Sequence, residues 1–337
     1  MSNPIVRVYK RLPEKTRKQI SDRLTFLKKI ARYGLELRFK VYEDLEEKRF
    51  VYVTSAGVDT NFIDGIYPGA TVTRVDTIYA WNLRKFVRRH DNVIVDMHSC
   101  FARFFTDGIV SVCCVRQIFD LTRPFEELFC NKDMKRERKK AEQFQPCFSK
   151  DPEDLDFFYE KMYLPFVQRR HDDAIILKKV FLQQYLEKNG ELCLLKKDGQ
   201  VIGGQFCNQV GKTFFMLVLG LIDECYLKEG ASAALYYYCI QRALEKKTRY
   251  IDFGLAQPFI FNGVVAYKKK WGGRIHQDYE SNRVLYLKNI TRDGLIILED
   301  NKLKVLVSDN NTVCRDLAAD AGMEVKQIRN SPTGENL

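Results

Sequence analysis

One stretch, from about Glu191 to about Glu280, constrains the fold more than any other part of the chain. It begins with three short apolar runs separated by a turn and a break, which is the pattern of successive strands. A longer segment with apolar residues at helical spacing follows, then a buried strand and a closing cluster. The predicted order is strand, strand, strand, helix, strand, helix. The strands are predicted at Leu192–Leu195, Gln200–Phe206, Thr213–Leu219 and Tyr250–Gly254, the long helix at Ala231–Lys247, and the closing cluster at Tyr267–Gly273.

The chain before this stretch also alternates strand-like and helix-like segments, which indicates the α/β class for residues 35–130. β-branched and aromatic runs predict strands at Arg49–Val53 and Asn92–Asp96. The segment Thr77–His90 predicts a helix. The nearly continuous apolar run Gly108–Val115 predicts one strand buried on both faces. This region carries no phosphate-loop or dinucleotide-binding fingerprint.

Positive charge is concentrated in two places. The formal net charge is +11, and residues 1–40 hold 12 Lys and Arg against three acids. Residues 14–33 predict a basic amphipathic helix, which suits an anionic membrane surface, a nucleic acid or packing on the following domain. The run Lys132–Lys140 holds six basic and two acidic residues, and it leaves open a polyanion contact or a solvated helix face. The apolar positions on one face of the first helix are Ile20, Leu24, Leu27 and Ala31.

The cysteine pattern and the hydropathy indicate a cytoplasmic protein. The ten cysteines form no CxxC pair, so we expect free thiols in a reducing compartment and no metal site. No apolar run approaches the roughly 18 residues of a membrane span. The basic N-terminus lacks the apolar core of a secretory signal. Residues 14–33 are the candidate for contact with the inner face of the membrane.

Two local features have chemical potential. The segment Lys228–Ser232 lies between a strand and a helix, where unpaired helix N–H groups and a lysine suit a phosphate; an ordinary connecting loop is the alternative. Asp252 lies on a strand between apolar neighbours. Its carboxylate suits a cation or a substrate amine in one interpretation, and caps a loop in the other.

Motifs along the central stretch resemble one enzyme superfamily. They are the hairpin Lys196–Gly204, Leu219-Gly220, Asp223, Gly230, Ala243, Asp252-Phe253-Gly254, Tyr267-Lys268 and Trp271-Gly272. In this order they resemble the GNAT acyltransferase superfamily, and within it the Fem-type peptidyltransferases and their CoA-dependent relatives. The resemblance covers about Lys132–Glu280 and is weaker over residues 35–130, where Fem-type members carry a first GNAT-like half.

The resemblance implies an architecture. The fold class would be α/β, a tandem GNAT-like (acyl-CoA N-acyltransferase) fold with mixed β-sheets flanked by helices. The chain would divide into a basic helical head (residues 1–34), a GNAT-like N-terminal half (35–130), a GNAT acyltransferase domain (131–285) and a C-terminal extension (286–337).

The resemblance also implies where an acyl donor binds. In GNAT proteins two splayed strands hold the donor's extended arm, a role that would fall on Met216, Leu217 and Val218. The following helix N-terminus holds the pyrophosphate of CoA. The sequence lacks the Arg-x-x-Gly-x-Gly/Ala loop of typical CoA users, so the donor is either an acyl-CoA or another activated donor such as aminoacyl-tRNA. The pyrophosphate-binding residues would be Lys228, Glu229, Gly230, Ala231 and Ser232.

Catalytic roles follow from the same resemblance. Tyr267-Lys268 matches an aromatic–lysine pair that reaches the active cleft of Fem-type enzymes. Lys268 would stabilise the developing oxyanion, and Tyr267 would orient the leaving group or relay a proton. Asp252 is the third candidate. The alternative is that Tyr267 only packs and that Lys268 is one of three solvated lysines.

The function predicted from these features is acyl or aminoacyl transfer to an amine or hydroxyl of a polar small-molecule, glycan or peptide acceptor. Association with the family's other members suggests cell-envelope or surface-glycan assembly. The alternative is a non-catalytic GNAT-like module that binds a polyanion such as tRNA through its basic segments.

Overall fold

The computed structural model describes residues 38–328, apart from residues 56, 103, 123, 131, 171–175, 279–281, 301 and 309–310. The helix predicted at residues 14–33 lies outside the described residues. Across the described part of the chain, no helix combines the length and the apolar character needed to cross a membrane.

The described chain is of mixed α/β character. The strands are β1 (Arg38–Asp44), β2 (Val51–Thr54), β3 (Val72–Tyr79), β4 (Val93–His98), β5 (Ile109–Val112), β6 (Val115–Asp120), β7 (Gln145–Ser149), β8 (Gly190–Lys197), β9 (Gln200–Val210), β10 (Thr213–Leu221), β11 (Tyr250–Ala256), β12 (Arg274–Gln277), β13 (Arg283–Lys288), β14 (Ile296–Glu299), β15 (Lys302–Val307) and β16 (Glu324–Gln327). The α-helices are α1 (Thr60–Ile66), α2 (Ala80–Arg89), α3 (Ser99–Ala102), α4 (Lys132–Ala141), α5 (Pro152–Phe157), α6 (Leu164–Arg170), α7 (Lys179–Leu186), α8 (Cys225–Glu229), α9 (Ala231–Glu245), α10 (Gly263–Lys270) and α11 (Thr312–Asp320). A 3₁₀ segment spans Phe125–Cys130, and a π-helical segment, Phe158–Tyr163, joins α5 to α6.

The chain forms two compact units. The first contains the described residues up to Val58, Gly69–Ile109 and Val284–Ile290, and the second contains Asp59–Pro68, Val110–Arg283 and the described residues from Thr291 onward. The predicted domain boundaries at residues 34, 130 and 285 stay predictions, because a compact unit and a family domain need not coincide.

The first unit is built on a mixed sheet in the order β13-β4-β2-β1-β3. β1 is antiparallel to β2 and β3, whereas β2 runs parallel to β4. β2 and β4 are buried along most of their length, as their continuous β-branched and aromatic runs predict. The Thr54 hydroxyl donates to Asp96 at 3.0 Å, so the polar ends of these two strands satisfy each other inside the unit.

The second unit contains a seven-stranded sheet in the order β12-β6-β11-β10-β9-β8-β7. Every neighbouring pair is antiparallel except β10 and β11, which are parallel. The hairpin between β8 and β9 turns at Asp198 and Gly199, with φ of 51° and 78°. Both values lie in the left-handed region that a two-residue type I′ turn needs, and Asp-Gly is the dipeptide that adopts it most readily. Elsewhere in this unit β5, β14, β15 and β16 pair in sequence beside α11.

Helix α9 fills the core on one face of the seven-stranded sheet. It buries nine residues there, including Leu235, Cys239 and Ile240. The only parallel step of the sheet, from β10 to β11, is bridged by this helix, as a parallel crossover requires. Eight cysteines are free thiols among the described residues, and four of them are buried: Cys193, Cys207, Cys239 and Cys314.

One local prediction was wrong, and one had the wrong boundary. The run Gly108–Val115 is not one strand: β5 pairs with β14, β6 pairs with β11 and β12, and the chain changes partners at Cys113-Cys114. The helix predicted at Thr77–His90 is found as α2, but its first residues form the end of β3, whose pairing with β1 continues to Tyr79. In both cases a pairing partner remote in sequence overrode the local pattern.

The predicted fold class is confirmed. Mixed sheets flanked by helices form both units, and the order strand, strand, strand, helix, strand, helix is found as β8, β9, β10, α9, β11 and α10. This order places the carboxyl end of β10, the beginning of α9 and the helix α10 around β11, where the predicted site residues lie.

Candidate active site

The strands β10 and β11 separate shortly after they begin. They pair only at Thr213–Phe215 and Tyr250–Asp252, although β10 continues to Leu221 and β11 to Ala256. β10 has a bulge between Met216 and Val218 on its β9 side. β11 shifts register against β6 between Asp252 and Leu255. Because a bulge bends a strand and interrupts its ladder, the two strands diverge into a split with unpaired inner edges. We call this feature the strand split.

The predicted donor-arm residues lie at the strand split. Met216 is buried in the core beside α9, whereas Leu217 and Val218 are half-buried and pack on the opposite face of the sheet. Leu217 is the bulged residue, since Met216 pairs with Cys207 and Val218 with Phe206. The segment therefore offers backbone groups toward the split, which an extended ligand can use for strand-like pairing.

Lys268 extends to the strand split from α10. Its side chain is 5% exposed, and its Nζ donates to the carbonyl oxygen of Leu255 at 2.7 Å. Gly254 lies beside it with φ of +79°, and a Cβ there would stand 3.5 Å from the Met216 carbonyl oxygen and 3.9 Å from Lys268 Nζ. The positive φ favours glycine at this position, and the Lys268 amine lies close to Gly254 where the two strands diverge. The prediction of a solvated Lys268 is therefore wrong, whereas its catalytic role stays a prediction.

Burial dominates the electrostatics of Lys268. It lowers the pKa of the amine from 10.5 to about 8, opposed by the charge of Asp252, assisted by Arg116 and opposed again by Cys114. At pH 7 about nine in ten of these side chains then carry the proton. Compared with an exposed lysine, such an ammonium is both a nearby positive charge and a much better proton donor.

Asp252 is buried on β11 and both of its oxygens are engaged. Oδ2 accepts from Arg116 Nη1 at 2.8 Å, and Oδ1 accepts from the Gly254 N–H at 2.7 Å. The Nε of Arg116 also donates to Asp278 Oδ1 at 3.4 Å. Of the two interpretations that the sequence left open, these contacts favour the one in which Asp252 caps a loop, through its bond to the Gly254 N–H.

Arg116 and Asp278 were not predicted as site residues. Arg116 lies at a half-buried position of β6, a strand whose residues alternate between buried and half-buried. A charged side chain in a partly buried strand needs a partner, and this was the one signal available. Its partner Asp252 is 136 residues away in the sequence, so no local spacing reveals the pair.

Tyr267 is next to Lys268 in the sequence, but it lies near the beginning of α9. Its ring meets Tyr236 of α9 edge-on, with ring centroids 5.2 Å apart. Burial raises the pKa of Tyr267 to about 12, and the neighbouring Trp271 and Ser232 side chains oppose that shift. Within the described chain, the Tyr267 hydroxyl and the Trp271 indole N–H are buried without a well-formed hydrogen bond. Tyr267 is thus a neutral phenol with a buried hydroxyl, and its role as a proton relay stays a prediction.

The beginning of α9 has the backbone geometry of an anion site. Gly230 joins α8 to α9 with φ of +101°, and a Cβ there would meet Lys140 Cβ at 2.9 Å, so both strain and space require glycine. The first helical bond runs from the Ala234 N–H to the Gly230 carbonyl at 3.0 Å, so the N–H groups of residues 231–233 lie outside the helical ladder. Ala231 is buried and Ser232 is half-buried at this end.

Lys228 and Glu229, the remaining residues predicted to bind the acyl donor, differ in their availability to a ligand. Lys228 is exposed in the last turn of α8. The Glu229 carboxylate pairs with Lys197, and its carbonyl accepts from Gln143 Nε2 at 2.7 Å. Glu229 therefore joins α8 to neighbouring segments, while Lys228 is free to meet a ligand's charge. Among the described residues, no cluster of three or more His, Cys, Asp or Glu side chains could hold a metal ion.

Two cavities of appreciable volume lie near α10. One of about 570 Å³ is lined by Lys269, Arg274, His276 and Asp320, among others. A second, of about 400 Å³, is lined by Val265, Lys270 and Leu317, among others. Both are lined in part by α11, through Asp320 and Leu317 respectively.

Part of the chain matches a known protein family. Residues 129–269 match the family described as the acetyltransferase (GNAT) domain. No match was found among curated proteins. The match spans α4 to α10 and therefore includes the strand split, the beginning of α9 and Lys268.

Solved structures show more distant similarity. FemX is 14% identical with a TM-score of 0.43, over 74% of this chain and 84% of that one. L-PGS from Bacillus licheniformis is 13% identical with a TM-score of 0.40, over 75% and 82%. A tandem GNAT protein from the clavulanic acid biosynthesis pathway is 10% identical with a TM-score of 0.36, over 66% and 76%. The family match and the single parallel step at the strand split support the assignment without them: residues 129–269 form a GNAT acetyltransferase-type domain, and the protein is an acyltransferase.

Proposed function

We propose that this acyltransferase transfers an acyl or aminoacyl group from an activated donor to an amine or hydroxyl of a polar acceptor, and that the reaction takes place at the strand split. The observation that carries the proposal is the position of Lys268, whose buried amine lies where β10 and β11 diverge beside Gly254. Burying an ammonium without a dedicated carboxylate partner costs free energy, and such perturbed lysines are typical of functional sites, which supports a role in the reaction.

The donor would bind with its extended arm along the unpaired inner edge of β10 at Met216, Leu217 and Val218. Its phosphate groups would meet the free N–H groups at the beginning of α9, with Ser232 and the exposed Lys228 adding a hydroxyl and a charge. This geometry suits the pyrophosphate of an acyl-CoA and the phosphate of an RNA 3′ end equally. The donor is therefore an acyl-CoA or an aminoacyl-tRNA, and the experiment below separates the two.

The transfer step can be written in terms of the chain's own groups. The nucleophilic nitrogen or oxygen of the acceptor forms a bond to the donor's carbonyl carbon, and the carbonyl oxygen becomes an oxyanion that the Lys268 ammonium stabilises. When the tetrahedral centre collapses, the bond to the donor's sulfur or oxygen breaks. Lys268 gives its proton to that leaving group, and the neutral amine then receives the proton that the acceptor loses.

The acceptor class and the location are further parts of the proposal. Asp252 and Asp278 both pair with Arg116, and together these two carboxylates balance the charges of Arg116 and Lys268, so the site suits a neutral or weakly cationic polar acceptor better than an anionic one. Small molecules, glycans and peptides all meet that description. We propose a cytoplasmic protein, with peripheral contact at the inner membrane through residues 14–33 as an option for such acceptors.

The test begins with binding. The protein is heated in the presence of acetyl-CoA, longer acyl-CoAs and a non-hydrolysable aminoacyl-RNA mimic, since a ligand at 100 times its dissociation constant adds about 2.7 kcal/mol of stability. The donor that stabilises is then offered with a panel of amines and hydroxyl compounds, and products are followed by mass spectrometry. Lys268→Met should bind the donor and lose transfer, whereas Lys270→Met, on the same helix but exposed, should keep both.

Two results contradict the proposal. Transfer that proceeds equally in the Lys268→Met variant would place the chemistry elsewhere. Tight, salt-dependent RNA binding without transfer from any donor would instead favour a non-catalytic polyanion-binding module, for which the exposed basic residues of α4 are the natural surface.

A further inference from the structure

Arg116 stands at the centre of a buried charge cluster next to the strand split. Its guanidinium binds Asp252 of β11 at 2.8 Å and Asp278, just after β12, at 3.4 Å. The three side chains are 16%, 2% and 5% exposed, in the order Arg116, Asp252 and Asp278. One arginine thus links three separate segments of the chain in an environment with little water.

The register of the sheet explains why these residues meet. On β6, Arg116 lies directly opposite His276 of β12 and opposite Leu255 of β11. Asp252 is paired with Ile118, two residues along β6, and is therefore a diagonal neighbour of Arg116 on the same face. The register shift in β11 thus has two effects. It opens the strand split, and it determines the offset between Arg116 and Asp252.

Asp252 could pair with either of two cations. The carboxylate acts on Lys268 electrostatically, but its Oδ2 is taken by Arg116 and its Oδ1 by the Gly254 N–H. The Lys268 amine is directed to an uncharged acceptor instead, the carbonyl oxygen of Leu255. The Asp252 carboxylate binds arginine in preference to lysine, because the planar guanidinium offers several donors in fixed directions, whereas the lysine ammonium is a point charge.

The consequence concerns the proton on Lys268. An ammonium in a buried ion pair holds its proton tightly and is fixed on its carboxylate, whereas one bonded to a carbonyl can release it and can turn toward a ligand. Arg116 adds a second effect, because its like charge disfavours protonation of Lys268. Both effects act in the same direction, and both require Arg116.

We propose that Arg116 is a positioning residue for Lys268: by occupying Asp252, and being held in turn by Asp278, it prevents an ion pair between Asp252 and the lysine and leaves the amine available at the strand split. The inference rests on the proposed role of Lys268 in transfer, but its test needs no substrate. Arg116 does not itself touch the reacting atoms in this account.

The titratable groups around the cluster are few among the described residues. Asp252 faces Lys268 from β11, and Arg116 and Cys114 face it from β6 and the residue before it. His276 faces Arg116 from β12, and burial together with Arg274 lowers the pKa of that imidazole. On α10 itself, Tyr267 is directed toward α9, and Lys269 toward Asp320 at 3.5 Å.

The experiment measures the pKa of Lys268 by NMR, with lysine side chains labelled with ¹³C and ¹⁵N and the Lys268 signal assigned from its loss in Lys268→Met. In Arg116→Gln, Asp252 is free to pair with the lysine, so the pKa should rise by about one to three units. In Asp252→Asn it should fall below the wild-type value. Arg116→Lys keeps a cation for Asp252 and should stay closer to the wild-type value than Arg116→Gln does.

A double variant separates positioning from simple disruption. If Arg116→Gln merely loosened the fold and exposed Lys268 to water, its raised pKa would persist in Arg116→Gln/Asp252→Asn, and that outcome would overturn the proposal. The proposal expects the rise to disappear in the double variant, because Asp252, the carboxylate that acts on Lys268, is no longer charged. An unchanged pKa in Arg116→Gln would also overturn it. Arg274→Gln, an exposed arginine on β12, is the matched control and should leave Lys268 unchanged.

If the Arg116→Gln variant does not fold, Asp252→Asn alone still tests the proposal. A pKa of Lys268 that rises or stays constant in Asp252→Asn would contradict a competition between Arg116 and Lys268 for Asp252. The readout is also independent of catalysis. If the NMR shifts are as expected but Lys268→Met keeps transfer activity, the proposed role of Lys268 is wrong and the positioning by Arg116 stands. If Lys268→Met loses transfer but the NMR shifts are absent, the role of Lys268 stands and the positioning by Arg116 is wrong.

Discussion

Replacing Lys268 by methionine should change the free energy of unfolding by an amount that depends on pH, because the Lys268 amine is buried in the folded protein. Lys268 has a pKa of about 8 when folded and 10.5 when exposed. Its pKa is depressed on folding, so the unfolded chain binds more protons between these values and the wild-type protein gains stability as pH rises. The penalty for burying the charged form is about 3.3 kcal/mol at pH 7 and about 0.8 kcal/mol at pH 10, from a pKa shift of about 2.5 units at 1.36 kcal/mol each.

The methionine variant is free of this penalty but loses the hydrogen bond to the Leu255 carbonyl, a constant loss of about 1 to 2 kcal/mol. The variant should therefore be more stable than the wild type at pH 7, and its advantage should shrink by about 2.5 kcal/mol between pH 7 and pH 10. The change with pH does not depend on the value of the constant loss.

Urea unfolding of both proteins at pH 7, 8, 9 and 10 measures this difference, because other titrating groups contribute equally to both and cancel. Lys270→Met is the control, since Lys270 is 46% exposed at its side chain and should show no such pH dependence. A stability difference between Lys268→Met and the wild type that stays constant from pH 7 to pH 10 would refute the reasoning, because it would mean that the folded protein does not disfavour the charged amine.

Three further predictions concern the rest of the site and its support. Once a donor and an acceptor are identified, kcat/KM should fall as pH rises through about 8, because the active form of Lys268 is the protonated one; a pH profile that rises through 8 would exclude that role. Gly230→Ala should destabilise the protein by about 2 kcal/mol through strain and contact with α4, and thermal unfolding should show a smaller loss for Gly199→Ala, where φ is +78° but no atom lies within 4 Å of the new Cβ. Glu191→Gln should cost about 2 kcal/mol, because this buried carboxylate binds two cations at 2.9 and 3.1 Å, whereas Glu245→Gln, 65% exposed, should change stability by less than about 0.5 kcal/mol in the same denaturation assay.

Local signals were sufficient for the elements around the site. The Asp198-Gly199 dipeptide predicts its hairpin because only a few residue pairs adopt two successive left-handed conformations, and both are found there. The apolar spacing from Ala231 onward predicts a long helix, and α9 begins at that residue. Gly230 was predicted to precede it and is required there by φ and by the approach of α4.

The partner changes of the sheets could not be read from the sequence. The run Gly108–Val115 is nearly continuous in apolar character, yet Ile109–Val112 form β5, which pairs with β14, whereas Val115 begins β6, which pairs with β11 and β12. A β-strand pattern records burial and not the identity of the neighbour. The choice of partner is set by elements more than a hundred residues away in the sequence.

The buried state of Lys268 was within reach of the sequence but was not deduced from it. Three consecutive lysines suggest a solvated surface, whereas helical spacing places Lys268 three residues after the buried Val265 and therefore on the same face. Its neighbours Lys269 and Lys270 point outward. The charge cluster of Arg116 was beyond reach, since it depends on the register shift of β11.

The central claim is that transfer takes place at the strand split beside Lys268. A crystal structure with a stable analogue of whichever donor stabilises the protein measures this directly. We expect an extended arm along Met216–Val218, phosphate groups at the beginning of α9, and the acyl carbonyl oxygen within hydrogen-bond distance, about 3 Å, of Lys268 Nζ. A donor whose acyl carbon lies in the cavity lined by Arg274 and His276, away from Lys268, would contradict it.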